Sequence, residues 1–132
     1  MKGSRARIVL AAAAVLGCVA LLPIVATSRA VEPAPRDLTI VARHMTFYVE
    51  GQPGPNPTLR FTAGERVRLV LRNEDPGMTH DFVIKAWKVA TRPISDRGAE
   101  DAVVFRVPDD RSSAGYQCTP HSEMMRGGIQ VD

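Results

Sequence analysis

Short segments in which apolar and polar residues alternate constrain the fold of this chain most. In "ERVRLVLRN", residues 65–73, Val67, Leu69 and Leu71 alternate with arginines. This period of two predicts a β-strand with one buried face and one solvated face. Other segments are rich in β-branched or aromatic residues, namely "LTIVA" at 38–42, "TFYVE" at 46–50, "HDFVIKAW" at 80–87, "AVVFRV" at 102–107, "AGYQC" at 114–118 and "GGIQV" at 127–131.

Turn signals separate these predicted strands and complete the all-β pattern. "GQPGPNP", "EDPG" and "PDDRSS" combine glycine, proline and acidic residues, which break strands. About seven short strands at this spacing predict a β-sandwich or barrel. Residues 91–101, "TRPISDRGAED", are expected to form a loop with at most one helical turn. At 132 residues, the chain is long enough for one domain with its own core.

The first 30 residues have the layout of an export signal. A basic start is followed by an apolar run at 8–26 and then by small residues such as Ser28 and Ala30. We therefore expect cleavage before Val31, and we expect "VEPAPRD" at 31–37 to be a linker to a domain at 38–132. The domain is expected outside the cytoplasm, for example in the periplasm.

Two alternatives for the same segment stay open. The apolar run at 8–26 is almost long enough to span a bilayer, and the basic residues before it would hold its start inside, so it could remain as a membrane anchor. In the other alternative, "VLGC" is a lipoprotein signal with Cys18 acylated, although apolar sequence continues beyond this cysteine.

The charge of the chain gives no support for nucleic-acid binding. Four of the 17 basic residues and none of the 14 acidic residues lie in segment 1–30, so the remainder carries 13 basic and 14 acidic residues. The predicted domain is therefore close to neutral, and the basic pI describes the leading segment.

Soft metal-binding side chains are concentrated near the end of the chain, in "YQCTPHSEMMRGG" at 116–128. Of the two cysteines, only Cys118 lies in the predicted domain, so it has no disulfide partner there. A thiolate, an imidazole and a thioether form a donor set that suits copper, whose electron-transfer sites use two histidines, one cysteine and a weak axial methionine. Cys118, His121 and either Met124 or Met125 supply three of these four ligands.

The fourth ligand must come from elsewhere in the chain, which offers His44 and His80. His80 opens a predicted strand directly after the turn "EDPGMT", where it could reach the same end of the sandwich. His44 lies in the first strand region without another candidate ligand nearby, so we interpret it as a surface or partly packed residue.

With these motifs in place, the sequence resembles the cupredoxins, the family of small blue copper proteins, from about Leu38 to Val131. "THDFVI" resembles the strand with the first histidine ligand, and "GYQCTPHSEMMRGGIQV" resembles the copper loop and closing strand. "CTPH" is the arrangement of amicyanins and pseudoazurins, whereas the histidine-to-methionine spacing follows azurins. The resemblance implies a Greek-key β-sandwich that holds one copper ion and passes single electrons as it cycles between Cu(I) and Cu(II).

The resemblance also favours Met125 over Met124 as the axial ligand. "MRGGIQV", which begins at Met125, reproduces the closing-strand pattern of the family, and strand register fixes which side chain points inward. The expected ligands are thus His80, Cys118, His121 and Met125. The chain departs from the family at Asp81, because many cupredoxins have asparagine after the first histidine. An ionised Asp81 that bonds the cysteine loop would favour Cu(II), whereas an Asp81 that points to solvent would change little.

These residues predict a one-electron carrier rather than an enzyme. The ligands leave no open position for a substrate, and three histidines in the chain do not suffice for a second copper cluster. Two alternatives are a copper storage or delivery protein and a metal-free interaction module. We expect a monomer whose redox partners dock transiently at an apolar patch around His121, formed by Met124, Met78, Pro76 and Pro120.

Overall fold

The computed structural model describes residues 31–111 and 113–132, which form nine β-strands in two sheets with turns and loops between them. The strands are β1 Arg36–Arg43, β2 Thr46–Val49, β3 Leu59–Phe61, β4 Arg66–Asn73, β5 Val83–Ile84, β6 Val89–Ala90, β7 Glu100–Arg106, β8 Ala114–Gln117 and β9 Arg126–Val131. A single 3-10 turn at Lys85–Trp87 joins β5 to β6. The prediction of an all-β protein is confirmed.

The two sheets are both mixed, with parallel and antiparallel pairs. The first sheet has the order β2-β1-β4-β7, and the second has the order β3-β9-β8-β5-β6. The pair β1 and β4 is parallel, with Arg36 beside Val67 and Ala42 beside Asn73, and the pair β3 and β9 is parallel as well. Strands that are neighbours in space are therefore often distant in sequence.

Alternating side chains of the two sheets face each other and form one apolar core. In β4, Val67, Leu69 and Leu71 are fully buried, as their alternation with arginines predicts. In the core, the ring of Phe47 in β2 contacts Phe82, which precedes β5, and Tyr116 in β8, at centroid distances of 5.5 and 5.8 Å, and the Phe82 and Tyr116 rings stack at 5.0 Å. Aromatic pairs in such edge-to-face and stacked arrangements stabilise the core beside Phe82, which is followed back along the chain by Asp81 and His80.

Three local predictions differ from the structure. The predicted strand at 80–87 is a strand only at Val83–Ile84, because the chain turns at Lys85–Trp87 and Lys88 has a positive φ of 54°. This turn places Trp87 against Phe61 and Phe105 at centroid distances of 5.8 and 5.9 Å. Two short strands, β3 and β6, were not predicted, and the prediction of about seven strands was too low.

His44 is exposed, as the sequence interpretation expects, but it lies in a turn and not in the first strand region. His44 and Met45 form a two-residue connection between β1 and β2, whose flanking residues Arg43 and Thr46 are paired. Both turn residues have positive φ values, 52° and 57°.

The first described residues, at 31–36, make hydrogen bonds and ion pairs with one end of the sandwich. β1 begins at Arg36, within the segment expected to be a linker, and the Arg36 guanidinium bonds both carboxylate oxygens of Glu65 at 3.0 Å. Glu32 pairs with Arg66 at 3.3 Å and with Arg106 at 3.4 Å. The residues Glu32–Asp132 form a compact unit. No helix among residues 31–111 and 113–132 is long and apolar enough to cross a bilayer; the predicted signal or anchor at 1–30 lies outside the described residues.

Candidate metal centre

Three of the four expected ligands converge at one end of the sandwich. His80 precedes β5, Cys118 directly follows β8, and His121 lies in the turn after Cys118. Their ligand atoms all lie within 4.8 Å of one another. The Cys118 Sγ is 3.8 Å from the His80 Nδ1 and 3.6 Å from the His121 Nδ1. One nitrogen of each imidazole therefore faces the same sulfur atom.

Backbone hydrogen bonds shape the loop that carries Cys118 and His121. The N–H groups of Met124 and Met125 both donate to the His121 carbonyl, at 3.0 and 2.9 Å. The Cys118 N–H donates to the Met125 carbonyl at 2.9 Å, which closes the loop and brings Met125 back beside Cys118. The Met125 side chain is fully buried, whereas the Met124 side chain is 54% exposed. Met125 as the axial ligand remains a prediction, and its burial supports it over Met124.

Gly127, in β9, allows close packing against Tyr116 of β8. Gly127 pairs with Tyr116 across β8 and β9, and a Cβ at Gly127 would overlap the Tyr116 hydroxyl. The Tyr116 hydroxyl donates to the Pro57 carbonyl at 2.6 Å. The absence of a side chain at Gly127 thus leaves room for the Tyr116 ring to cross β9 and reach Pro57.

Asn56 ties the ligand loop to the first sheet, a role that sequence analysis missed. Its side-chain amide donates to the Met124 carbonyl at 2.8 Å and its carbonyl oxygen accepts from the Phe47 N–H at 3.1 Å. The segment "GQPGPNP" was recognised as a turn, but its long-range contact with residue 124 has no local sequence signal.

His80 is held from behind by a carboxylate that sequence analysis also missed. The His80 Nε2 lies 3.3 Å from the Asp75 Oδ2. Asp75 accepts the backbone N–H groups of His44 and Met45, and its own N–H donates to the Asn73 side chain at 2.9 Å. Burial alone would raise the pKa of Asp75, but the hydrogen bonds from Met45, His44 and His80 outweigh it, and the pKa lies below its usual value. "EDPG" was identified only as a turn.

Asp81 points toward the cysteine loop and not to solvent. Its side chain accepts the Thr119 N–H at 2.5 Å, and the residue is only 7% exposed. The carboxylate thereby connects the His80 segment to the residue that follows Cys118. Of the two alternatives for Asp81, the structure has the one in which it bonds this loop.

Burial favours the neutral forms of two candidate ligands, His80 and Cys118. Burial, together with the charge of a protonated His121, lowers the pKa of His80. Burial also raises the pKa of the Cys118 thiol. Desolvation disfavours the charged form in both cases. A metal ion that binds here has to displace the thiol proton, since the thiolate is the ligand.

The candidate centre reaches solvent on the side of His121. His80, Cys118 and Met125 are fully buried, whereas His121 is partly exposed. Two exposed methionines lie in the adjoining segments, Met78 at 36% and Met124 at 54% exposure, and Pro76 and Pro120 are exposed as well. The side chain of His44 is outside the cluster of His80, Cys118 and His121.

Solved structures similar to this chain include two auracyanins and an oxidase. Auracyanin B is 20% identical, with 80% of this chain and 95% of that chain covered and a TM-score of 0.59. Auracyanin A, a "blue" copper protein from Chloroflexus aurantiacus, is 14% identical over 75% of this chain and 100% of that chain, with a TM-score of 0.56. The McoA multicopper oxidase of Aquifex aeolicus is 12% identical over 76% of this chain and 27% of that chain, with a TM-score of 0.61. No protein-family model and no curated protein matches the chain.

These similarities show that the described domain has the cupredoxin fold, as the sequence predicts. The donor set fits a copper ion on chemical grounds, because a thiol and two imidazoles converge within 4.8 Å and a thioether is buried in the same loop. Of the four expected ligands, the structure brings His80, Cys118 and His121 together and buries Met125 in the same loop.

Proposed function

We propose that this chain is an exported mononuclear type 1 copper protein that carries single electrons between redox partners. The observation that carries the proposal is the convergence of the His80 Nδ1, the His121 Nδ1 and the Cys118 Sγ within 4.8 Å, in a cupredoxin fold. His80, Cys118, His121 and Met125 would hold the metal. Export is inferred from the layout of residues 1–30.

Bound copper would supply the one-electron Cu(II)/Cu(I) couple. The protein supplies a fixed set of donors, since three candidate ligands are buried and the loop at 118–125 is closed by three backbone hydrogen bonds. Little rearrangement between the two oxidation states is therefore needed, which suits a carrier. The partly exposed His121 is the ligand nearest solvent and gives electrons a short exit path.

The fold alone does not separate carriers from enzymes, because the McoA multicopper oxidase is among the similar structures. We propose a carrier without catalytic turnover, because the expected ligands fill one site and the chain has only three histidines and two cysteines in total. A storage or delivery role would use the same donors with a metal that exchanges readily.

Visible spectroscopy and voltammetry of the copper-loaded protein test the proposal. We expect an intense thiolate-to-Cu(II) band and a reversible one-electron wave. Cys118→Ser should abolish the band, because the thiolate is the only expected source of this transition, and His44→Ala is the matched control that should retain it. A colourless protein that gives Cu(I) to a chelator would support delivery instead, and no copper uptake would favour an interaction module.

A further inference from the structure

The carboxylate of Asp75 connects two parts of the molecule that are distant in sequence. Its Oδ1 accepts the His44 N–H at 2.7 Å. Its Oδ2 accepts the Met45 N–H at 3.0 Å and lies 3.3 Å from the His80 Nε2. Asp75 is only 8% exposed, so these contacts are largely removed from water. One side chain thus joins the β1–β2 turn to a candidate metal ligand.

The turn on one side of Asp75 has an unfavourable backbone. His44 and Met45 have φ values of 52° and 57°, in the left-handed region that favours Asn and Gly. A two-residue turn with these residues is strained, and the two backbone N–H groups that it directs inward are satisfied by the Asp75 carboxylate. These hydrogen bonds to Asp75 therefore offset part of the free-energy cost of the strained turn between β1 and β2.

On its other side, Asp75 lies beside the His80 ring nitrogen that does not face Cys118. The Nδ1 faces the Cys118 Sγ at 3.8 Å, so Nδ1 is the donor atom and must carry no proton. In a neutral His80 that binds a metal through Nδ1, the ring proton is on Nε2, which lies 3.3 Å from the Asp75 Oδ2. A carboxylate behind a ligating histidine fixes the ring orientation and increases the basicity of the ligand.

We propose that Asp75 is a positioning residue that holds the proton of His80 on Nε2 and biases the copper site toward Cu(II). The inference rests on the proposed copper function. The bias follows from charge, because a buried anion behind a ligand stabilises the more highly charged metal ion. Asp81 acts at a different place, since it accepts a backbone N–H from Thr119 and contacts no imidazole nitrogen at hydrogen-bond distance among the described residues.

Removal of Asp75 also disturbs the turn, so the test begins from a repaired-turn parent. His44→Asn combined with Met45→Gly supplies the residues that a two-residue turn with positive φ prefers. Asp75→Ala and Asp75→Asn are then compared in this background. The alanine removes the acceptor, and the asparagine retains a polar side chain of the same shape without the charge.

The first measurement uses the metal-free full-length protein. We expect the Hε2 proton of His80 to appear as a slowly exchanging resonance in ¹⁵N-edited NMR of the repaired-turn parent. In Asp75→Ala this resonance should be lost through exchange with water. An unchanged resonance would overturn the proposal, whether or not the protein binds copper, because it would show that Asp75 does not hold this proton.

The second measurement uses Cu(II) and Cu(I) affinities of the same variants. Loss of a residue behind a ligand typically lowers metal affinity 10–100-fold. We expect Asp75→Asn to lower the Cu(II) affinity about tenfold more than the Cu(I) affinity, which raises the reduction potential by about 59 mV for one electron. Glu74→Gln is the control, because this neighbouring carboxylate is more exposed and pairs with Arg43 and Arg72.

The outcomes separate the inference from the proposed function. The ratio of Cu(II) affinity to Cu(I) affinity could be the same in Asp75→Asn and in the repaired-turn parent, with the thiolate band present in both. That result would overturn the bias toward Cu(II) and would not contradict the carrier function. Failure of all variants to bind copper would contradict the carrier function, and the metal-free NMR experiment would still decide whether Asp75 positions His80.

Discussion

The adjacent methionines Met124 and Met125 lie in different environments, one at the surface and one in the interior. Met125 is fully buried behind the loop that carries Cys118, and Met124 is 54% exposed. The Cys118 N–H bonds the Met125 carbonyl, whereas the Met124 carbonyl accepts from Asn56. The two side chains therefore have different expected roles, one toward the metal and one toward a partner.

Replacement of each methionine by leucine tests this difference. Met125→Leu should retain the thiolate band and raise the reduction potential by about 59 mV or more, which corresponds to a tenfold loss of preference for Cu(II), because the weak axial donor is gone. Met124→Leu is the matched control and should shift the potential little. Voltammetry measures both. A larger shift in Met124→Leu would mean that the axial ligand is assigned to the wrong methionine.

The two upstream histidines give a second matched pair. His80→Ala should open the site to water or added imidazole and lower the Cu(II) affinity by more than the 10–100-fold typical of a residue behind a ligand. His44→Ala should leave the visible spectrum unchanged, because the His44 side chain lies outside the cluster. Copper titration followed by visible absorption measures both effects. Equal losses in the two variants would refute the choice of His80.

The residues of the candidate centre were predictable from sequence to different degrees. Cys118 and His121 share one short loop of soft donors, and His80 opens a strand after a turn, so spacing identified them. Asp75 and Asn56 were missed because their contacts, with His80 and Met124, depend on how distant segments pack. An acidic residue before Pro-Gly and an asparagine before proline have the same local pattern when they merely form turns.

Among the elements, the segment predicted to be a loop, residues 91–101, is held to β7 by the carboxylate of Asp101. Asp101 accepts the Arg92 backbone N–H and the Arg92 Nε, both at 2.8 Å, and its side chain is only 9% exposed. The same segment contains Ile94, whose backbone exchanges two hydrogen bonds of 2.9 Å with His80. Asp101 therefore supports the strand edge that carries His80.

Asp101→Asn should lower the free energy of unfolding of the metal-free protein by about 1–2 kcal/mol at pH 7, since it weakens hydrogen bonds to a charged group. The backbone N–H of Arg92, followed by its guanidinium, lowers the pKa of Asp101. This contribution is therefore complete above the unfolded pKa of about 3.9 and is lost as the pH falls through the folded value. Urea unfolding at pH 7 and pH 3 measures it.

Asp37→Asn is the control for this experiment, because Asp37 pairs with Arg68 at 3.4 Å but its side chain is 72% exposed. Such an exposed pair contributes about 0–1 kcal/mol. The interpretation of Asp101 fails if both substitutions have the same effect, or if the effect of Asp101→Asn is as large at pH 3 as at pH 7.

The strands were predictable where burial alternates over several residues and not where they are short. β4 was evident from Val67, Leu69 and Leu71, which face the core. β3 has three residues, follows a proline-rich turn and pairs with β9, about 70 positions later. The end of β5 depends on the turn at Lys85–Trp87, which is set by packing of Trp87 against Phe61 and Phe105. Local periodicity contains no information on such contacts.

At the scale of the whole molecule, the exposed methionines beside His121 provide a test of partner docking. Met124→Lys and Met78→Glu should slow electron self-exchange between two copies of the protein several-fold, because charge is placed in an apolar contact. The visible spectrum should stay nearly unchanged. NMR line broadening in mixtures of the reduced and oxidised protein measures the rate.

Val104→Lys is the matched control, since Val104 is 49% exposed and pairs with Arg68 near the start of β4, away from the ligands. It adds the same charge as Met124→Lys and should leave the rate within about twofold of the parent. If Val104→Lys slows the exchange as much as Met124→Lys, net charge and not the patch controls the encounter.

The position of Glu32 determines how the domain would be oriented if it were attached to an electrode through its N-terminal side. Glu32 pairs with Arg106 and with Arg66, the first residue of β4, and His80 follows the other end of this strand, Asn73. At about 3.3 Å per residue, the length of β4 separates these two ends by about 23 Å. A domain attached to an electrode through a linker before Glu32 would thus direct His121 toward the solution. A copper ion held by the candidate ligands would then lie too far from the electrode for fast direct electron transfer.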